Sequence, residues 1–161
     1  MMQPTIRQMS EADIPAWLSL SHEYDGIVRE LGEDLTHWYG GNETDPSFDA
    51  YMRAKLAQRE AWMACGVHGK YVGVVAFSRR NNRITFFGVA TRATYETVAD
   101  LLLRTALDAL DGTRDISITV LKSSHSSVQR ERTFLLGHGF APVGDVLENG
   151  VPVERLIKPG R

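Results

Sequence analysis

Residues Arg83–Leu110, RITFFGV-ATRAT-YETVADLLLRTALDAL, join two patterns of different period across a short polar junction. Residues 83–89 are rich in β-branched and aromatic side chains, which predicts a strand. From Tyr95 onward, Val98, Leu102, Ala106 and Ala109, with Ala99, Leu103 and Leu110 beside them, recur at three-and-four spacing and predict a helix that Asp111-Gly112 stops. A strand that passes so quickly into a helix leaves the first helical N–H groups unpaired at the positive end of the peptide dipole. That arrangement suits an anion.

On the amino-terminal side, Ala61–His68 and Tyr71–Ser78 read as two more strands around Gly69-Lys70, a glycine-first pair that predicts a type II′ hairpin. Arg79–Asn82 makes the next polar turn, so three strands run as an antiparallel meander. Earlier still, Thr5–Gln8 forms a short strand, and Ser10 or Asp13 caps a helix carrying Ile14, Trp17, Leu18, Tyr24, Ile27, Val28 and Leu31. Residues 32–46 show no periodicity and hold His37, Trp38 and Tyr39, so they read as a ligand-contacting loop. Asp45-Pro46 then opens a shorter helix through Phe48, Tyr51, Met52, Lys55 and Leu56.

On the carboxyl-terminal side, Ile116, Ile118 and Val120 alternate as a strand, and a serine-rich turn at Ser123–Ser127 leads to a helix over about Val128–His138 that Gly139 ends. Phe140–Leu147 and Val153–Ile157 form a last hairpin around Glu148-Asn149-Gly150. No repeat or linker interrupts this order, and 161 residues suit a single domain, 1–161.

Composition narrows the function classes. With 43% apolar and 24% charged residues and a net charge of −2, the chain reads as globular, with no global field for nucleic acid or an anionic membrane. Cys65 is the one cysteine, in an apolar run, and reads as a buried small residue. Residues 1–7 lack the tracts of a signal peptide, so the expected compartment is a reducing cytoplasm. The five histidines and the cysteine form no local ligand pair, so no metal is expected. The Ser123–Ser127 run includes His125 but lacks the strand-and-glycine elbow of a serine nucleophile.

The element order, together with Thr5-Ile6-Arg7 before Ser10–Pro15, Phe87-Gly88-Val89 closing the fourth strand, and Gly137–Phe140, resembles the GNAT acyltransferase superfamily over essentially the whole chain. The resemblance implies an α/β (α+β) architecture: a mixed, mostly antiparallel central sheet of about seven strands flanked by about four helices. It also implies an N-acetyltransferase with acetyl-CoA as cosubstrate, acting on a primary amine of a small molecule or peptide, with a homodimer left open. In that family an Arg/Gln-x-x-Gly-x-Gly/Ala pattern holds the coenzyme pyrophosphate. Here it falls on Thr94–Ala99, where only Ala99 fits and Glu96 adds a carboxylate to the first helical turn. Backbone donors survive any substitution, and Thr94 and Thr97 add hydroxyls. The implied coenzyme site is therefore Phe87, Gly88, Val89, Thr94, Tyr95, Glu96, Thr97, Val98 and Ala99, with Ser124 in the serine-rich turn.

Acyl transfer needs a neutral amine, a polarised thioester carbonyl and a proton for the thiolate. By resemblance, a backbone N–H within Phe87–Val89 polarises the carbonyl. The tyrosine that many members use as acid falls on Leu135. Candidate bases are Glu23 and Glu43, from a wider set of Glu33, Asp34, Glu148, His22 and His37. His37, Trp38 and Tyr39 are candidates to shape the acceptor pocket. The alternative from another class is a catalytically silent module that uses the fold to bind a ligand or protein.

Overall fold

The computed structural model describes residues 3–24, 46–148 and 151–161. Its elements are β1 (Thr5–Gln8), α1 (Ile14–His22), α2 (Pro46–Ala57), β2 (Ala61–Cys65), β3 (Tyr71–Ser78), β4 (Arg83–Val89), α3 (Tyr95–Ala109), β5 (Ile116–Leu121), α4 (Ser126–Gly137), β6 (Ala141–Glu148) and β7 (Val151–Lys158). The seven strands form one sheet in the order β1-β2-β3-β4-β5-β7-β6. All neighbours are antiparallel except β4 and β5, which are parallel.

Two apolar layers cover the sheet. Val98, Leu102 and Ala106 of α3 and Leu135 of α4 pack on one face with Ile84, Ile118 and Val120. Trp17 and Leu20 of α1 and Met52 of α2 pack on the other with Met63, Val74 and Phe86. Gly73 sets how closely α3 approaches, since a Cβ there would stand 2.8 Å from a methyl of Val98. Cys65 lies in the second layer as a free, buried thiol. At the start of α1, Asp13 accepts both Arg7 guanidinium nitrogens at 2.7 Å and the Ser10 N–H at 2.9 Å. This pairing holds its carboxyl below the usual range.

Local geometry departs from the sequence expectations in three places. The helix expected to run through Tyr24 stops at His22, and Ile27, Val28 and Leu31 lie outside the described residues. The second strand ends at Cys65 rather than His68, and the turn that follows has positive φ at both His68 and Gly69. Two adjacent positive φ angles belong to a type I′ pair one residue earlier than the expected type II′ turn at Gly69-Lys70. The helix expected from about Val128 begins two residues earlier, at Ser126, where His125 Nδ1 accepts the Ser127 N–H at 3.1 Å.

What positions the site is how β4 leaves β5. Their one register pair is Arg83↔Ser117, at the beginning of both strands. Asn82 clamps that end: its side-chain amide donates to the carbonyls of Asp111 and Asp115, its side-chain oxygen accepts from the Asp111 N–H at 2.8 Å, and its own carbonyl accepts from the Ser117 N–H at 3.3 Å. Just beyond, the β3–β4 register shifts so that Ala76 faces Phe86 while Phe77 faces Ile84, leaving Thr85 extra in β4. Such a bulge bends its strand. Clamped at Arg83 and bent at Thr85, β4 diverges from β5, and a gap opens toward Val89 and Leu121.

Candidate functional site

The gap runs from Thr85 and Thr119 near the clamp to Val89 and Leu121 at the open end, and Tyr24, Tyr95 and Glu131 line it. Along β4, successive residues direct their main-chain groups alternately toward β3 and toward the gap. The Ala90 N–H bonds the Val72 carbonyl on the β3 side. Val89 faces the gap, where the Tyr24 hydroxyl accepts its N–H at 2.9 Å and donates to its carbonyl at 2.8 Å. By the same alternation the N–H of Phe87 also faces the gap. Glu23, next to Tyr24, accepts the Thr91 N–H at 2.8 Å. The end of α1 is thus hydrogen-bonded to the junction that leads into α3.

At the start of α3 the first helical bond is from the Val98 N–H to the Thr94 carbonyl, and no side chain caps the helix. The N–H groups of Tyr95, Glu96 and Thr97 therefore emerge free of intrahelical partners. Thr94, Glu96 and Thr97 are exposed, whereas Val98 and Ala99 are buried in the core. A groove between α3 and α4 continues outward from Tyr95 past Glu96, Thr97 and Ser126. Arg130 lines both the groove and the gap, with its guanidinium 4.3 Å from the centre of the Tyr95 ring. It places a cation beside the helix start whose own loop lacks a basic residue at Thr94. Arg92 is turned elsewhere: it donates to the Tyr71 carbonyl and lies 4.4 Å over the Tyr71 ring.

The strongest chemical feature was not singled out from the sequence. Glu131 lies half-buried on the gap wall, with no hydrogen-bond partner among the described residues, and loss of solvation pushes its carboxyl up to about 8. Tyr95 faces it from α3, ring to ring with Phe134 at 6.0 Å, its hydroxyl buried and unpartnered among the described residues. Burial, then the nearby Glu131 charge, raises both Tyr95 and Tyr24 above the ordinary phenol value. A carboxyl near 8 is mostly protonated at neutral pH and can give up that proton. The readable signal was position: Glu131 falls between the buried Val128 and Leu135 on the apolar face of α4.

The other candidates divide by place. Phe87, Gly88, Val89, Thr94, Tyr95, Glu96 and Thr97 gather at the open end of β4 and the start of α3. Val98 and Ala99 stand behind them in the core, and exposed Ser124 borders a separate depression with Lys122 and Arg132, leaving Ser127 on the gap. Glu23 is engaged with Thr91, and Glu148 accepts Arg83 Nη2 at 2.9 Å. Glu33, Asp34, His37, Trp38, Tyr39 and Glu43 lie outside the described residues. Leu135, at the position compared with the usual acid, is fully buried. Among the described residues no three His, Cys, Asp or Glu side chains gather to hold a metal, and no helix is long and apolar enough to cross a membrane.

No family model matches the chain, and no curated protein matches it significantly. Solved structures match its fold over nearly the whole chain. A GNAT-family acetyltransferase from Staphylococcus aureus superimposes with a TM-score of 0.72 at 12% identity, covering 98% of this chain and 99% of that one. A GNAT-family acetyltransferase from Bacillus cereus gives 0.65 at 16%, covering 99% of each chain. A chain of the NatC complex bound to Gag peptide and CoA gives 0.60 at 14%, covering 99% of this chain and 100% of that one.

Proposed function

From a chain that has the GNAT acyltransferase fold, we propose an enzyme that transfers an acetyl group from acetyl-CoA to a primary amine by direct attack in the gap between β4 and β5. One observation carries the reading: β4 and β5 part after Arg83↔Ser117, beside a helix start with unbonded N–H groups. The pyrophosphate suits the N–H groups of Tyr95, Glu96 and Thr97, with Arg130 as counter-charge. The extended arm of the coenzyme suits the unpaired edge of β4, as an added strand would. Its thioester carbonyl then accepts the Phe87 N–H, which polarises it as the amine nitrogen bonds to the carbonyl carbon. The carbon–sulfur bond breaks, and the Glu131 carboxyl gives its proton to the thiolate. The proton lost by the amine restores Glu131.

A second reading, a silent binding module, is favoured by one feature: the Tyr24 hydroxyl already satisfies both main-chain groups of Val89. Thermal unfolding with acetyl-CoA separates the two. A ligand that binds only the folded state raises Tm, so the enzyme reading requires a rise that saturates, together with thiol release on adding an amine panel. Absence of any Tm change at millimolar acetyl-CoA would sink it.

A further inference from the structure

The gap has two unlike faces. On the side covered by α3 and α4 it is lined by Ile84, Ile118 and Val120, which belong to that core. The alternate residues Arg83 and Thr119, with the bulged Thr85, turn to the side covered by α1 and α2, where they form a polar basin. Arg83 Nη2 donates to Glu148 Oε2 at 2.9 Å, and the Thr119 hydroxyl donates to the same oxygen at 3.4 Å. The Tyr51 hydroxyl and Thr85 Oγ1 share a hydrogen bond of 2.7 Å, and Arg83 and Glu148 both act on the Tyr51 hydroxyl. Thr85 and Thr119 line the gap itself, so the basin opens into it.

The pairing in this basin is incomplete. A guanidinium offers donors in a flat fork that matches a carboxylate. Arg83 Nε is buried without a partner among the described residues, and Nη2 has Glu148 as its acceptor. Arg83 and Glu148 are each about one-third exposed, so a ligand can reach the outer atoms of both side chains, while Nε itself is buried. A buried donor left without an acceptor costs stability, and such a cost persists where a ligand supplies what the fold does not.

We infer that this basin recognises the acceptor, and that the acceptor is an amine that also carries a carboxylate, held by the exposed part of the Arg83 guanidinium. The inference rests on the transferase reading. A positive and a negative side chain held side by side complement a zwitterion: Arg83 takes the carboxylate, while Glu148 attracts the ammonium form as it enters. The reach sets the spacing. Arg83 and Phe87 pair with Ser78 and Val75, three residues apart on β3, so they lie about 10 Å apart along the sheet at about 3.3 Å per residue. An amine and a carboxylate separated by several bonds, as in an ω-amino acid, fit this span better than the short separation of an α-amino acid.

The test compares 5-aminopentanoate with pentylamine, which lacks the carboxylate. Titration calorimetry on the coenzyme A-bound protein needs no turnover, and the inference expects the acid to bind at least about tenfold tighter, a typical worth for one charge-assisted bidentate contact. Arg83→Gln should abolish the difference, raising KM for the acid far more than it changes KM for pentylamine. Arg83→Lys, a point charge without the fork, should keep part of the preference. Because Arg83→Gln strands Glu148, the pair Arg83→Gln/Glu148→Gln is measured too, with Tm as the folding check. Equal affinity for the two amines, no binding of either, or a preference that survives both variants overturns the inference. Failure of coenzyme A itself to bind appears in the preceding titration and overturns the transferase reading instead.

Discussion

Replacing Glu131 with glutamine should make the protein more stable, and by an amount that depends on pH. The folded protein holds this carboxyl at about 8 against an ordinary 4.5, so it binds the proton more tightly than the unfolded chain does. A group raised in this way contributes its stability in full below about 4.5, and that stability is lost as pH climbs toward about 8. The full difference corresponds to about 5 kcal/mol at about 1.4 kcal/mol per pH unit. Glu131 retains some open surface on the gap, and solvent screening reduces the expected penalty to about 2 kcal/mol. Glutamine keeps the shape and cannot ionise. Urea unfolding of the two proteins should therefore coincide at pH 4, with Glu131→Gln gaining about 2 kcal/mol by pH 8.5. Parallel stability profiles over that range would show that Glu131 is ordinarily solvated, and would remove the reason for assigning it the proton.

Three further predictions concern the coenzyme. Tyr24→Phe frees both main-chain groups of Val89, so acetyl-CoA should bind roughly three- to tenfold tighter by calorimetry, while urea unfolding of the free protein shows a loss of about 1–2 kcal/mol from the two broken hydrogen bonds; weaker binding would mean that Tyr24 supports the coenzyme site. Arg130→Gln should weaken binding about tenfold and flatten its dependence on salt, because an exposed counter-charge for the phosphates is gone; an unaltered salt slope would place Arg130 outside the site. Glu96→Gly should tighten binding about threefold by removing a carboxylate from the first turn of α3, less the cost of glycine in a helix; unchanged or weaker affinity would refute a competing role for Glu96.

Periodicity exposed the elements that depend on local sequence. The strand at Arg83–Val89, the helix from Tyr95 and the glycine that ends α4 at Gly139 all emerge where the residues place them, because β-branched runs, three-and-four apolar spacing and positive φ are local properties. The gap between β4 and β5 is not legible in the sequence. Its physical cause, the Asn82 clamp and the bulge at Thr85, depends on partners that no window of sequence shows. Tyr24 reaches Val89, and Arg83 reaches Glu148, across 65 residues in each case. Such pairs become visible only once the sheet order is known. Glu131 is different, because a lone carboxylate between Val128 and Leu135 on an apolar helix face is readable in advance.

The claim that the main-chain amides of β4 and α3 receive a coenzyme A thioester is tested most directly by an NMR titration of the isotope-labelled protein with acetyl-CoA. The account predicts saturable shifts concentrated on the N–H signals of Phe87, Tyr95, Glu96 and Thr97, with Val89 shifting as its bond to Tyr24 breaks. Shifts confined to other parts of the chain, or none at millimolar ligand, would contradict it.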